Sequence, residues 1–383
     1  MEISENEVFE LGKNLDGITD CRRPGGHLLH KLKDVLIIGL TTVMTGWDEF
    51  IVMEDFGKAK LDFFKKFLEL PNGIPDEKTF ARVFSFIDPQ ELIACLGQWL
   101  DKAGENGGRK INIDGKTIRG SACRSRGKRG IHIVSAWVGA QNLVLGQLAT
   151  EEKSNEITAI PQLLDSMEIT GDTITIDAMG CQREIAAKIR EKGAHYVFSV
   201  KENQKETLGE IKEYFEDVQE TWTKTHLPTD VRHSGIEKDH GRIEKREVWT
   251  EEDPSWMTSK DRWKDLKTII RYRCTRTEGD KKSMENRYYL SDLSLDAEKA
   301  AELIRGHWSI ENRLHWFLDV CFGEDKCRAR TNHAPENLNV LRKTALRLLR
   351  KTSVPEKRIG TSRKILRATL NDDFLYDVLF GRT

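Results

Sequence analysis

Two strand-like segments of this chain end on aspartate. In "KINIDGKTIRGS" the alternation of Ile111, Asn112 and Ile113 delivers Asp114, and in "TITIDAMG" a similar run delivers Asp177. Two carboxylates at strand ends of one sheet repel each other, so their placement calls for a compensating charge. A hard divalent cation such as Mg²⁺ supplies one, held by a few carboxylates while keeping sites for water and phosphate oxygens. A third arm is available from "HWSIENRLHWFLDV". There Leu303, Ile310, Leu314, Phe317 and Cys321 form an apolar stripe, and Glu311 sits at its border between Trp308 and His315. A carboxylate among aromatic groups is costly unless it is paired or liganded. The chemistry such a trio suits is metal-dependent phosphoryl transfer. Plainer roles stand beside it. Asp114-Gly115 is a common turn signal, Asp177 could cap a helix starting near Cys181, and Glu311 could pair with Arg305 or another base. The His307, Glu311, His315 ladder is not the His-Glu-x-x-His arrangement of a zinc site.

The elements that must position these groups change character along the 383 residues. Residues 1–26 read as an irregular lead-in, and Leu28 to about Asp101 as a helical bundle. "LLHKLKDVLIIGLTTVM" is apolar nearly all round, "FGKAKLDFFKKFLEL" stops at the breaker "PNGIP", and "DEKTFARVFSFI" and "PQELIACLGQWLDKA" are amphipathic. After "GENGG" the pattern becomes three strands, helix, strand, helix, strand, which predicts an α/β domain with a mixed sheet. Residues 201–292 are rich in charge and Trp (222, 249, 256, 263) and read as a β-rich insertion. The expected organisation is an N-terminal helical domain over 1–104, a catalytic domain over 105–350 carrying that insertion, and a C-terminal basic tail and helix over 351–383.

The net charge is only −1, but its distribution is uneven. Residues 1–100 carry 11 basic and 17 acidic groups, residues 109–130 eight basic and one acidic, and residues 326–367 thirteen basic and two acidic. Two concentrated basic stretches on a neutral protein suit local contact with nucleic acid, or a solvated basic face. Seven cysteines at irregular spacing, without a Cys-x-x-Cys pair, argue against a disulfide framework or a zinc site and suit the cytoplasm. The most apolar run, "VLIIGLTTVMTGW", is too short to span a bilayer.

Motifs in a fixed order then carry a resemblance. "NGIPDEKTFARVFSFIDP", "INIDGKTIRGS", "TIDAMGCQREIAAKI", "HYVFSVKENQ", "HGRIEKREV", "HWSIENRLHWFLDVCFGEDKCRAR" and "NHAPENLNVLRKTALRLLR" together resemble bacterial insertion-sequence transposases of the Asp-Asp-Glu type. Within these, the closest resemblance is to the group of H-repeat-associated proteins. It runs from about residue 20 to 370. The resemblance implies an RNase H-like mixed-sheet core interrupted by a β-rich insertion, with Asp114, Asp177 and Glu311 as the catalytic metal ligands. It implies Mg²⁺ as cofactor, with Mn²⁺ as a substitute, and cleavage followed by strand transfer at the ends of an insertion sequence. The alternative is a transposition-defective DNA-binding or nuclease relative of the same fold.

The implied partners are double-stranded DNA, both the terminal inverted repeats of its own element and target DNA, and a second copy of the chain in the synaptic complex. Lys116, Lys201, His240 and Arg242 lie in matching motifs and are expected at the DNA. Arg119, Arg330, Arg342, Lys343 and Arg347 in the basic stretches are expected to meet phosphates, and Trp249 to stack on an unpaired base. One departure concerns the Tyr-x2-Arg-x3-Glu-x6-Lys pattern of wider relatives, for here Ile304, His307 and Leu318 occupy the Tyr, Arg and Lys positions. Arg305, Arg313, Lys326 and Arg328 are the expected substitutes.

Overall fold

The structure is a computed structural model that describes residues 13–23, 28–100, 107–123, 125, 127–150, 156–222, 232–239, 242–354 and 359–381. Four N-terminal helices lead: α1 (Leu32–Met44), α2 (Phe50–Ala59), α3 (Glu77–Phe86) and α4 (Pro89–Leu100). The helix expected over "FGKAKLDFFKKFLEL" starts earlier, at Phe50, and is divided at Lys60, where the backbone leaves helical geometry; one more turn follows over Leu61–Phe64. Asp76 caps α3 by accepting from the Thr79 N–H at 2.8 Å, and Pro89 opens α4, where no backbone donor is needed.

The second region begins with β1 (Lys110–Ile118), β2 (Ile131–Val138), β3 (Leu143–Ala149) and α5 (Glu156–Asp165). It continues with β4 (Thr173–Ile176), α6 (Arg183–Glu191) and β5 (His195–Val200). That is the expected order of three strands, helix, strand, helix, strand. The insertion holds α7 (Lys205–Trp222) and then β6 (Arg232–Asp239), β7 (Arg242–Glu251), β8 (Thr268–Glu278) and β9 (Lys281–Ser291). Last come α8 (Ala297–Ile310), a π turn (Glu311–His315), α9 (Trp316–Phe322), α10 (Ala334–Lys351), α11 (Thr361–Leu370) and α12 (Asp372–Phe380). Among the described residues no helix is long and apolar enough to cross a membrane.

All nine strands join one mixed sheet in the order β3-β2-β1-β4-β5-β9-β8-β7-β6. Strands β1, β4 and β5 are parallel, and the other ladders are antiparallel. The insertion is therefore not a separate β unit: β9 pairs with β5 and prolongs the core sheet. Helix α7 was not expected from its charged sequence, "KETLGEIKEYFEDVQETW", but Leu208, Ile211 and Phe215 bury a stripe against the sheet.

Both faces of the sheet are covered. Ile111, Ile113, Ile174 and Ile176 pack with α5 and α6 on one face, while α8 lies on the other. A further core joins α1–α4 to α10 and α12 through Phe63, Phe64, Phe80, Leu341, Leu346, Leu375 and Tyr376. The C-terminal helices thus close the N-terminal bundle instead of trailing from it.

Candidate active site

Register brings the two aspartates together. Parallel strands β1 and β4 pair residue for residue through Ile113 and Ile176, so Asp114 and Asp177 follow at equivalent positions on neighbouring strands. Side chains alternate across a strand. Because Ile111 and Ile113 face α5 and α6, Asn112 and Asp114 face α8. The Asp-Gly pair is not a turn, since β1 continues to Ile118. Asp177 does not cap α6, whose N-cap is Gln182. It closes a tight turn instead, its Oδ1 accepting from the N–H groups of Met179 at 3.0 Å and Gly180 at 3.4 Å.

Two residues below the aspartates, a polar clasp fixes α8. The Thr175 hydroxyl lies 2.8 Å from Asn112 Oδ1 and 2.9 Å from His307 Nδ1. One helical turn beyond His307 comes Glu311, and two residues along each strand come Asp114 and Asp177. These steps have nearly equal rise, about 5.4 Å and 6.6 Å, so the clasp carries Glu311 along with the aspartates. Glu311 opens the π turn, a local widening that recurs at functional positions. The turn also changes the buried face. The stripe continues through Leu314, Leu318 and Phe322, not through Phe317 and Cys321, a shift of one residue. Glu311 is exposed and makes no ion pair among the described residues, while Arg305 is taken by Glu237.

The electrostatics are those of crowded anions. Burial, then the Asp177 and Glu156 carboxylates, push the Asp114 carboxyl up to about 7, and Glu311 adds to this. Burial and then Glu156 raise Asp177, against the two turn N–H groups and Lys201. His315 Nδ1 stands 3.4 Å from Asp114 Oδ2. The contact is not an ion pair, because burial, with Lys343 and Lys116 nearby, pushes the imidazole down to about 3 and Asp114 is itself drawn toward its neutral form. Desolvation pushes the half-buried His307 down to about 4, so its clasp with Thr175 is between neutral groups.

Glu156 is the residue that sequence reasoning missed. It opens α5, where a carboxylate is ordinarily explained by the helix dipole, and only the fold shows it beside the aspartates. Its Oε1 is 2.7 Å from His132 Nε2.

The expected DNA-facing residues divide sharply. Arg119, Lys201, Arg242, Arg313, Lys326, Arg328 and Arg330 are exposed, and Lys201 ends β5 next to Asp177. His240 lies outside the described residues. Arg342, Lys343 and Arg347 are buried and are not available to phosphates. The Arg342 guanidinium pairs with Asp48 and Glu324. Lys343 Nζ donates to Ser135 Oγ at 2.6 Å and Gln147 Oε1 at 2.7 Å, and Arg347 donates to the Leu100 carbonyl at 3.3 Å. The reason is geometric: α10 runs between the N-terminal bundle and the sheet edge, so every side of it is covered. Lys116 is likewise engaged internally, with Asp319 and with Glu324 Oε2 at 2.6 Å. Trp249 is 5 % exposed under Arg271, whose guanidinium lies 4.0 Å from the ring centroid. It is core and cannot stack on a base. Ile304 and Leu318 are core as well, which accounts for apolar residues at those two positions of the wider pattern.

A divalent cation fits the donors in kind. The carboxylates are hard oxygen ligands and are mutually repelling. Among the described residues, no three His, Cys, Asp or Glu side chains are gathered closely enough to hold one ion at once. Glu311, exposed at the π turn, is the arm with freedom to move.

Comparisons with known proteins identify the family. The family model described as "Transposase DDE domain" matches residues 105–348, and "DDE_Tnp_1-associated" matches residues 13–100. The chain is 38% identical over 381 residues to "H repeat-associated putative transposase YhhI" of Escherichia coli (strain K12), covering 98% of this chain and 99% of that one. It is 40% identical over 367 residues to "Putative transposase YncI" of Escherichia coli O157:H7, covering 94% and 92%. Among solved structures, a piggyBac transposase synaptic complex with hairpin DNA aligns over 99% of this chain and 79% of that chain, at 11% identity and a TM-score of 0.42.

Proposed function

Because the chain belongs to the DDE transposase family, we propose that it is an active, metal-dependent transposase that cleaves DNA at the ends of its own insertion sequence and joins them to a target. The observation that supports this most directly is the in-register pair Asp114 and Asp177, raised toward protonation by burial and mutual repulsion and faced by Glu311. Mg²⁺, or Mn²⁺ in its place, would be held by these three carboxylates. When bound, it would activate water or a 3′-hydroxyl and stabilise the departing oxygen of the phosphodiester.

The chain's own residues prepare that chemistry. The aspartates, borne on strands of the central sheet, present oxygens in a fixed register. The neutral His315 ring shields Asp114 from one side without cancelling its charge. The Thr175–His307 clasp holds the helix that carries Glu311. Lys201 supplies a cation beside Asp177 for the scissile phosphate or its neighbour. Arg119, Arg313, Lys326, Arg328 and Arg330 give phosphate contacts on flanking DNA, and two copies of the chain bring two element ends together. None of the cysteines among the described residues forms a disulfide, which supports a place in the cytoplasm.

The test is cleavage and joining of duplex DNA carrying the element's terminal repeats. Asp114→Asn, Asp177→Asn and Glu311→Gln are each expected to reduce Mg²⁺-dependent cleavage on the order of 10³-fold or more, about 4 kcal/mol of transition-state stabilisation. Binding to the ends should persist, because it rests on the basic residues. Parental cleavage by the Asp114 variant would remove the reading. Cleavage without joining by the parent protein would make it a nuclease.

A further inference from the structure

The glycine that follows Asp114 stands in the middle of a strand, with no turn to form. What explains it is a neighbour. A β-carbon at Gly115 would collide with Glu156 Oε1 and His132 Nε2. Gly115 has the same strand parity as Ile111 and Ile113, so this contact is made on the α5 face of the sheet, opposite the face that carries Glu311. The absent side chain is thus a cradle, and a carboxylate fills it.

Glu156 is held there deliberately. His132 Nε2 contacts its Oε1 at 2.7 Å, and His132 Nδ1 is in turn 2.8 Å from the Thr117 hydroxyl. Thr117 and His132 are cross-strand partners in the β1–β2 ladder, so the sheet itself aims the imidazole. Glu156 is only 9 % exposed, and among the described residues its only partner is His132. Its charge is felt at both aspartates, and at Asp114 it outranks that of Glu311. A buried carboxylate beside two others is expensive unless a cation is shared.

We propose that Glu156 is a fourth carboxylate arm of this site, reaching the Asp114–Asp177 pair across the sheet plane and contributing to divalent-cation binding, with His132 as its positioning residue. The proposal rests on the metal-dependent reading of the aspartate pair. It assigns a role to Gly115 as well, which is to leave room for the fourth arm.

The experiment is calorimetric titration of the full chain with Mn²⁺ alone, without DNA, each variant first checked for native circular dichroism. Glu156→Gln is expected to weaken Mn²⁺ binding at least about tenfold, the range seen when groups supporting a metal site are removed. Gly115→Ala, which removes no charge but displaces the carboxylate, is expected to weaken it too, and it serves as the test if the Gln variant does not fold. If Glu156→Gln binds Mn²⁺ within about tenfold of the parent while Asp177→Asn does not, Glu156 is only a partner of His132 and the proposal fails alone. If Asp114→Asn and Asp177→Asn also bind like the parent, the aspartate reading falls and takes the proposal with it.

Discussion

Two charged regions of this molecule look alike in sequence and are opposites in structure. At Asp114 within β1 and Asp177 just past β4, carboxylates gather without enough positive charge, and their protonation shifts upward in response. Along α10, guanidinium and ammonium groups gather and are engaged by protein, Arg342 by carboxylates and Lys343 and Arg347 by neutral acceptors. Arg342 is completely buried between Asp48 and Glu324, and Lys116 reaches the same Glu324 from β1. The first region is frustrated. The second is satisfied and welds the N-terminal bundle, the sheet and the C-terminal helices together. Charge density alone does not distinguish a functional site from a structural one, whereas compensation does.

The comparison breaks most severely at the satisfied network. Arg342→Ala leaves Asp48 without its cation and the wholly buried Glu324 with Lys116 alone, and breaking a buried pair costs about 3–5 kcal/mol. Chemical denaturation should show a loss of that size, with loss of the native fold at modest denaturant. If stability is unchanged while DNA binding weakens, α10 would be a DNA surface after all.

The frustrated site should behave with the opposite sign. A carboxyl raised from 3.8 to about 7 on folding binds its proton more tightly in the native state. Its contribution is greatest at low pH, falls as the pH rises through about 4 to 7, and is lost above that. Asp114→Asn, free of this penalty, should therefore match the parent near pH 4 and exceed it by up to about 4 kcal/mol at pH 8 in metal-free buffer. Thermal or urea melts across that range measure it. A constant difference would mean that folding does not raise the Asp114 carboxyl.

The smallest effects belong to the exposed cations. Lys326→Ala, Arg328→Ala and Arg330→Ala should change stability by less than about 0.5 kcal/mol. If these residues touch phosphates, each substitution should lower the slope of log affinity against log salt by about 0.9. An unchanged slope in the triple variant would mark this stretch as a solvated face.

Much of this was written in the sequence. Alternating Ile residues determined β1 and β4, the buried run at 32–44 determined its helix, and the motif order determined the family. These signals are local or contiguous, so period and spacing carry them. Contacts between distant segments were not so legible. Helix α7 looked like a charged insertion because its apolar stripe is thin and only the sheet beneath it gives that stripe a purpose. The π turn at Glu311 moved the buried face by one residue, a change that depends on tertiary packing and not on period. The basic residues of α10 and the ring of Trp249 read as DNA contacts because exposure is decided by what covers them, here the N-terminal bundle and Arg271. Glu156 read as an ordinary first residue of a helix. Only the folded sheet, by passing a bare glycine beneath its carboxylate and a histidine beside it, decided that this side chain would lie against the residue next to Asp114.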